Sequence, residues 1–290
     1  MTVLQALILG LVQGFTEFLP VSSSGHLVLV PEFFNIPNPP LGFDILLHLA
    51  TLVAVVGYFA RDVGKMVVSV VAPGRMSRSD VKFWRRLIVW LVIGTIPAGL
   101  AGVLLDSFFE SLFSSTLAVG AFLVVTSLLL IGADIALGRV HRDGGNNGLK
   151  TGGTPGQGSG GTLGLGSMRA ADALVVGCFQ ALAIAPGISR SGATMAGGIF
   201  LGFDRETAAR FSFLLSIPAI LGAGLIKLKD ISGAFTGATG PAYAVGAAAA
   251  LVSGFAAVYL LLRYVKKHRL RLFAAYTLVL GVFVIVLSLA

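Results

Sequence analysis

A carboxylate, a serine cluster with a histidine, and an arginine between serines occur in otherwise apolar stretches of this sequence. The carboxylate is Glu17, four residues after Gln13; the serine cluster is PVSSSGH at 20–26; the arginine is Arg190, in PGISRSGAT at 186–194. Ionisable groups among apolar residues are costly unless they are paired or line a polar cavity. Together these groups could supply a base or metal ligand, a nucleophile and an anion-binding cradle.

Glu17 is the most informative single residue. Helical spacing places it on the same face as Gln13. A carboxylate in this setting can ligate a metal or act as a general base, and the alternative is a structural carboxylate bonded to turn amides. Gln13 is a candidate for substrate binding, with the alternative that its amide only joins packed helices.

The first turn offers three hydroxyls and an imidazole within five residues. A serine near a histidine is the minimum for an activated nucleophile, and the attacking group is either Ser23 or a water activated by Glu17 or His26. His26 could be the base or could protonate a leaving group. Ser22 and Ser24 are candidate phosphate ligands. The alternative for the turn is helix capping, which must apply to at least one serine.

The second turn has the composition of an oxyanion cradle. Arg190 can bind phosphate with two parallel hydrogen bonds, and Ser189, Ser191 and Thr194 are candidate ligands beside it. The start of a following helix adds a favourable dipole. The alternative is a buried ion pair between Arg190 and Glu17, and both arrangements could occur in turn, paired when empty and on phosphate when loaded.

The elements that position these residues are membrane helices. The chain has 290 residues, of which 56% are hydrophobic and only 12% charged, well below the charge of a soluble domain. Six segments approach the roughly 20 residues that cross a bilayer. They lie at about 44–60, 86–105, 116–137, 207–226, 243–263 and 271–289. The arms around the two polar turns are shorter, which predicts re-entrant hairpins.

The two hairpins indicate an internal repeat. Gly10 and Gln13 correspond to Gly177 and Gln180, and the turns align if one gap is allowed. Each half then consists of one hairpin and three spans, over about 1–137 and about 169–290. Three spans is an odd number, so the second half must be inverted. Inverted repeats place their site at the repeat interface near the membrane midplane, where the two turns should meet.

The segment between the halves, about 138–168, is predicted to be a linker inside a single membrane domain. Its centre, 143–161, is rich in glycine. One threading places 18 of the 21 Lys and Arg residues on one side, which the positive-inside rule makes cytoplasmic. The net charge of +8 therefore reflects topology and not a nucleic-acid partner. The only cysteine, Cys178, excludes an internal disulfide.

Four other polar residues have simpler interpretations. His48 is predicted to be a packed or hydrogen-bonded histidine. Asp134 and Asp172, near helix ends, are predicted to be solvated, and Asp204 is predicted to cap a helix.

Glu17 and the two motifs at 20–26 and 186–194 resemble the undecaprenyl-diphosphate phosphatases of the bacitracin-resistance type. The resemblance covers essentially the whole chain. It implies an all-α polytopic enzyme of the plasma membrane that hydrolyses the C55 isoprenyl diphosphate to its monophosphate at the outer face. This reaction recycles the lipid carrier for cell-wall synthesis.

The same resemblance implies a divalent cation, Mg²⁺ or Ca²⁺, with Glu17 as its ligand. The family has Glu or Gln at position 13, followed by Glu at position 17. Ser23, His26, Ser189, Arg190 and Thr194 fall on positions regarded as functional in the family. A homodimer is compatible with this prediction.

A transporter of phosphate-bearing polyprenyl lipids is the main rival, because inverted repeats with broken helices are a transporter architecture. The Ser, His and Glu cluster favours an enzyme, since carrying a lipid needs no general base. A purely structural scaffold would leave Glu17 and Arg190 unexplained.

Overall fold

The computed structural model describes residues 1–37, 39–146, 162–227 and 240–290, and for residues 140–146 it describes the backbone only. Most of the Gly-rich segment 143–161, together with Lys229 and Asp230, lies outside the described residues.

The described residues form twelve α-helices. They are α1 Val3–Phe18, α2 Ser23–Phe33, α3 Leu41–Tyr58, α4 Ala60–Val71, α5 Arg78–Leu104, α6 Asp106–Phe113, α7 Thr116–Asn146, α8 Ala170–Leu182, α9 Arg190–Phe200, α10 Arg205–Ile226, α11 Gly240–Val265 and α12 Arg271–Leu289. Six of these, α3, α5, α7, α10, α11 and α12, are long and apolar enough to cross a membrane. The chain is therefore an all-α polytopic membrane protein, and the six predicted spans are confirmed.

The arms around the polar turns are short helices. In the first pair, α1 has 16 residues and α2 has 11; in the second, α8 has 13 and α9 has 11. Each is below the length that crosses a bilayer. The chain reverses direction at each polar turn, so that both turns are enclosed by protein.

Two further helices, α4 and α6, lie between the predicted spans. The basic segment 61–86 is largely helical: it holds α4, a single 3₁₀ turn and the beginning of α5, which starts eight residues before the expected bound of 86. The short helix α6 follows α5. Apolar residues spaced at helical intervals among the charges, such as Met66 and Val70 beside Lys65, explain why α4 is helical.

Each hairpin packs on a span from the other half of the chain. Helix α1 lies along α11, and α8 lies along α5. The contacts are close because glycines face each other: Gly10 meets the Gly246 carbonyl, and Gly177 meets the Gly94 carbonyl. The third spans, α7 and α12, pack together between the hairpins.

Asp134 and Asp172 are buried, so the prediction that they are solvated is wrong. Asp134, on α7, is 3% exposed. Its Oδ1 accepts from the Leu270 amide at 3.3 Å and also lies 3.7 Å from Arg205 Nε. It links α7 to the starts of α10 and α12. Asp172 is 6% exposed because its carboxylate accepts from the Arg169 amide at 2.9 Å, at the start of α8. Asp204 caps α10, as predicted, by accepting from the Thr207 amide.

Candidate active site

The two polar turns have the same construction. Ser22 caps α2 by accepting from the Gly25 amide at 3.2 Å, and Ser189 caps α9 by accepting from the Gly192 amide at 3.1 Å. The capping predicted for at least one serine is therefore confirmed. In consequence, Ser23 and Arg190 are the first residues of their helices and occupy equivalent positions.

Glu17 joins the two turns. Its Oε2 accepts from the Ser23 hydroxyl at 2.6 Å, and its Oε1 accepts from Arg190 Nη2 at 2.5 Å. The carboxylate is only 6% exposed and faces the N-termini of both α2 and α9, where helix dipoles favour negative charge. The structure thus shows the Glu17–Arg190 ion pair and brings the predicted base, nucleophile and anion-binding residue into one cluster.

Gln13 completes the surroundings of Glu17. Its Nε2 donates to Glu17 Oε2 at 3.0 Å, and its side chain is fully buried. Two buried polar atoms of this cluster, Gln13 Oε1 and Arg190 Nη1, have no hydrogen-bond partner in the part of the chain described. Buried groups of this kind are costly unless a ligand or water meets them. The unpartnered guanidinium nitrogen is a ready donor to an anion.

A cavity of about 110 Å³ opens beside this cluster. Five of the predicted site residues line it: Glu17, Ser23, Ser24, Ser189 and Arg190. The other lining residues are His48, Ala183 and Ile188. The cavity therefore combines a carboxylate, three hydroxyls and a guanidinium in one polar space.

His48 is hydrogen-bonded, as predicted, but it also lines the cavity. The carbonyl of Asp44 lies 2.8 Å from its Nδ1, so Nδ1 carries a proton. Its Nε2 lies 3.7 Å from Glu17 Oε2, and its side chain is 35% exposed. The sequence indicated only a histidine within a span, and the proximity to Glu17 follows from the packing of α1 against α3.

His26 lies behind the cavity wall. It is buried, its Nδ1 is 2.7 Å from the Ser22 carbonyl, and its Nε2 is 2.7 Å from the Tyr276 hydroxyl. Both nitrogens therefore have partners within the protein.

The remaining candidate ligands hold the second turn in place. The Ser191 hydroxyl donates to the Leu19 carbonyl at 3.1 Å and so fastens this turn to the first hairpin. Thr194 donates to the Arg190 carbonyl at 2.7 Å and lies 2.6 Å from the Ser212 hydroxyl of α10. Ser22, Ser191 and Thr194 are all buried outside the cavity lining.

A larger cavity, of about 250 Å³, lies where α3, α4, α10 and α11 meet. Its charged groups are mostly paired with each other, as in Arg210 with Asp62 at 2.7 Å and Lys266 with Glu206 at 3.1 Å. None of its lining residues is a Ser, Thr, Cys or His. The smaller cavity is therefore the candidate active site.

Comparison with known proteins identifies the family of the chain. The family model described as bacitracin resistance protein BacA matches residues 6–283. This chain belongs to the BacA family. A protein of Moorella thermoacetica named undecaprenyl-diphosphatase is 41% identical over 98% of this chain and 97% of its own length. Proteins with the same name from Desulfosudis oleivorans and Thermomicrobium roseum are 42% and 40% identical, over 96% and 100% of both chains.

The oxygen atoms of this BacA-family site fit a divalent cation held jointly with a substrate. The described residues contain no group of three or more His, Cys, Asp or Glu side chains that could hold a metal alone. Mg²⁺ commonly uses one or two carboxylates together with water and substrate phosphates. Glu17 and the unpartnered Gln13 Oε1 are the oxygens that would hold it.

Sequence inspection missed three residues of this BacA-family site. These are His48, Tyr276 and Thr126. The Thr126 hydroxyl supports the second turn: it donates to the Gly187 carbonyl and accepts from the Ser189 amide, both at 2.9 Å. All three lie on membrane-spanning helices. From sequence alone, a polar residue in such a helix cannot be distinguished from the many that only form a hydrogen bond within their own helix. Their sequence separation from the turns leaves no local motif that could reveal them.

Proposed function

We propose that this chain hydrolyses undecaprenyl diphosphate to undecaprenyl phosphate and inorganic phosphate. The observation that carries the proposal is Glu17, held between the Ser23 hydroxyl and the Arg190 guanidinium at the edge of a polar cavity. The relatives' shared name, undecaprenyl-diphosphatase, gives the substrate. The reaction recycles the lipid carrier and underlies the resistance to bacitracin for which the family is named.

Arg190 and the helix N-termini bind the terminal phosphate. Arg190 Nη1, which has no partner among the described residues, donates to a phosphate oxygen, and the starts of α2 and α9 add positive potential. When the anion binds, Arg190 gives up part of its hydrogen bonding to Glu17 and donates to the phosphate oxygens instead. This exchange releases the carboxylate to act as a base when substrate is present.

Ser23 is the attacking group in this mechanism. As its Oγ forms a bond to the terminal phosphorus, Glu17 Oε2 accepts the hydroxyl proton over the existing 2.6 Å hydrogen bond. The bond from this phosphorus to the bridging oxygen breaks, and undecaprenyl phosphate leaves with the electron pair. Glu17 releases this proton to solvent through the cavity. Water then attacks the phosphoserine and gives a proton to Glu17, which passes it to the Ser23 oxygen as the bond between that oxygen and phosphorus breaks and inorganic phosphate leaves.

A divalent cation is part of the proposal. Glu17 and Gln13 would hold it, and when bound it would neutralise charge on the phosphate oxygens. The remaining neutralisation comes from Arg190.

The proposed setting is the plasma membrane, with the cavity opening to the outer face and the prenyl chain in the bilayer. The basic segments define the cytoplasmic side, which leaves α6 and the two termini outside. A lipid substrate and no nucleic acid follow from this placement.

The deciding experiment is phosphate release from undecaprenyl diphosphate by the detergent-purified chain, with Mg²⁺ or Ca²⁺ and then with EDTA. Glu17→Gln and Arg190→Lys should each lower the rate by roughly a hundredfold or more, since each removes a charge or geometry used in the transition state. Glu32→Gln and Arg169→Lys, at partly or fully exposed positions outside the cavity, are the matched controls.

Two results would overturn the proposal that this chain is a hydrolase. One is an absence of phosphate release from folded wild type that still binds the lipid. The other is transfer of intact labelled lipid diphosphate between the leaflets of proteoliposomes, which would make transport the activity.

A further inference from the structure

The first polar turn has a strained residue next to the nucleophile. Ser22 has a φ of 71° and a ψ of 95°, in the region that residues other than glycine rarely adopt. The next residue is Ser23, whose hydroxyl must reach Glu17. Strain of this kind persists only where surrounding contacts hold it, and these contacts can therefore be identified.

His26 supplies the contacts that hold Ser22. The Ser22 carbonyl accepts from the His26 amide at 3.2 Å and lies 2.7 Å from His26 Nδ1. A carbonyl can only accept, so Nδ1 carries a proton and donates. In neutral His26 the other nitrogen, Nε2, is then an acceptor.

Tyr276 fixes the far side of the imidazole. Its hydroxyl lies 2.7 Å from His26 Nε2 and donates to it, although the two residues are 250 positions apart in the chain. Tyr276 belongs to α12, the last helix, and His26 belongs to α2, the second. This hydrogen bond therefore joins the nucleophile turn to a distant span.

We propose that Tyr276 is a positioning residue for the Ser23 hydroxyl, acting through His26 and the Ser22 carbonyl. The role rests on the proposed function. Tyr276 holds the imidazole in one orientation and tautomer, the imidazole holds Ser22 in its strained conformation, and Ser22 aims Ser23 at Glu17. His26 then belongs to the support of the nucleophile and has no contact with the reacting phosphate.

The second turn is held in a comparable way. Thr126, on α7, bonds the Gly187 carbonyl and the Ser189 amide beside Arg190. Helices α7 and α12 are the last spans of their respective halves and pack on each other. Each therefore presents one polar side chain to a different Ser-rich turn, Tyr276 to the turn with the nucleophile and Thr126 to the turn with the phosphate-binding arginine.

The test compares kcat and KM for undecaprenyl diphosphate among wild type, Tyr276→Phe, His26→Gln and the double variant. Removal of one positioning hydrogen bond should lower kcat roughly tenfold in Tyr276→Phe. KM should stay within about twofold, because Arg190 and its turn are unchanged. The double variant should equal His26→Gln alone, since Tyr276 has no route to Ser23 without the imidazole.

Tyr259→Phe is the matched control, because within the described part of the chain the Tyr259 hydroxyl is hydrogen-bonded only to the exposed Arg263 on the same helix. It should retain wild-type kcat and KM. Thr126→Val provides a contrast at the other turn, where the expected change is a raised KM. Two results would overturn the proposal. One is a kcat of Tyr276→Phe equal to that of wild type, and the other is a double variant whose kcat is lower than that of His26→Gln by the full factor seen in Tyr276→Phe alone.

A nitrogen-15 NMR spectrum of histidine-labelled protein separates the two possible failures. The chain has four histidines, and His26→Gln assigns the His26 signals. Tyr276→Phe should move the His26 Nε2 resonance toward that of an unbonded acceptor, and an unchanged resonance overturns the proposal by itself. If wild type releases no phosphate, the proposed function falls and the positioning role falls with it, whatever the spectrum shows about the hydrogen bond.

Discussion

At the scale of single residues, Glu17 divides its two oxygens between two tasks. Oε1 faces Arg190, which binds phosphate in the proposed mechanism, and Oε2 faces Ser23, which attacks it. An ion pair this deeply buried contributes little net stability, but breaking it leaves an unpaired charge at a cost of about 3–5 kcal/mol. The position of Glu17 between the nucleophile and the anion site is therefore better explained by its role in catalysis than by a contribution to folding stability.

Ser23→Ala should abolish the covalent step. We expect phosphate release to fall by roughly a thousandfold or more, because Ser23 is the only one of the described residues whose hydroxyl is hydrogen-bonded to the base. Ser24→Ala, the neighbouring control, should lose less than about tenfold, since Ser24 contacts the Ser22 hydroxyl and not Glu17. Acid quenching after mixing with substrate labelled in its terminal phosphate should trap phosphoserine at position 23.

Activity of Ser23→Ala above a tenth of wild type would contradict the covalent mechanism and would make an activated water the nucleophile. The label would then be absent from the quenched wild-type protein as well.

Gln13→Glu should make the protein more dependent on a divalent cation. The change removes the amide that donates to Glu17 and places a second carboxylate beside it. Repulsion lowers the melting temperature in EDTA, and a cation shared by two carboxylates restores it. The measurement is the rise in melting temperature on adding Mg²⁺, which should be larger than in wild type.

Gln180→Glu is the matched control, since Gln180 is the corresponding residue of the second hairpin and its amide donates to the Gly94 carbonyl, with no carboxylate partner among the described residues. It should be destabilised with no recovery in Mg²⁺. Equal recovery in the two variants would show that the effect of the cation does not arise at Glu17.

At the scale of helices, hydropathy was sufficient to predict all six spans, because length and apolar composition alone decide whether a helix can cross a bilayer. The short arms were predicted for the same reason. Helices α4 and α6 were missed because their charged residues resemble those of loops. The close approach of Glu17, Ser23 and Arg190 was anticipated from the repeated turns, whereas Tyr276 and Thr126 depend on packing between distant spans.

Gly10→Ala should prevent α1 from seating on α11. A Cβ at this position would lie 2.2 Å from the Gly246 carbonyl oxygen, and backbone cannot move aside cheaply. We expect a loss of about 1–3 kcal/mol or more, seen as a lower melting temperature and poor recovery of monodisperse protein from detergent. Gly177→Ala should do the same, since its Cβ would lie 2.4 Å from the Gly94 carbonyl oxygen.

Gly99→Ala and Gly222→Ala are the controls, because an added Cβ at either position meets none of the described residues within 4 Å. Both should be neutral or slightly stabilising, by about 0.5–1 kcal/mol, since alanine favours a helix. Equal losses in these variants would show that glycine matters here for flexibility and not for close packing.

At the scale of the whole molecule, each hairpin rests on a span from the other half: α1 on α11 and α8 on α5. Both hairpins therefore reach their final packing only when the halves combine. The reciprocal contacts are those expected of two related halves. The inversion of one half relative to the other stays a prediction, and it depends on how the chain is threaded through the membrane.

This threading can be tested with single cysteines in a Cys178→Ala background. Ser79, in the basic segment, and Ser111, on α6, are both exposed and lie on opposite sides in the predicted topology. A membrane-impermeant maleimide added to intact cells should label Ser111→Cys at once and Ser79→Cys only after lysis. Ser24→Cys should also label from outside, and undecaprenyl diphosphate should block it. Labelling of Ser79→Cys in intact cells would reverse the topology and open the cavity to the cytoplasm, where hydrolysis could not act on lipid diphosphate released at the outer face.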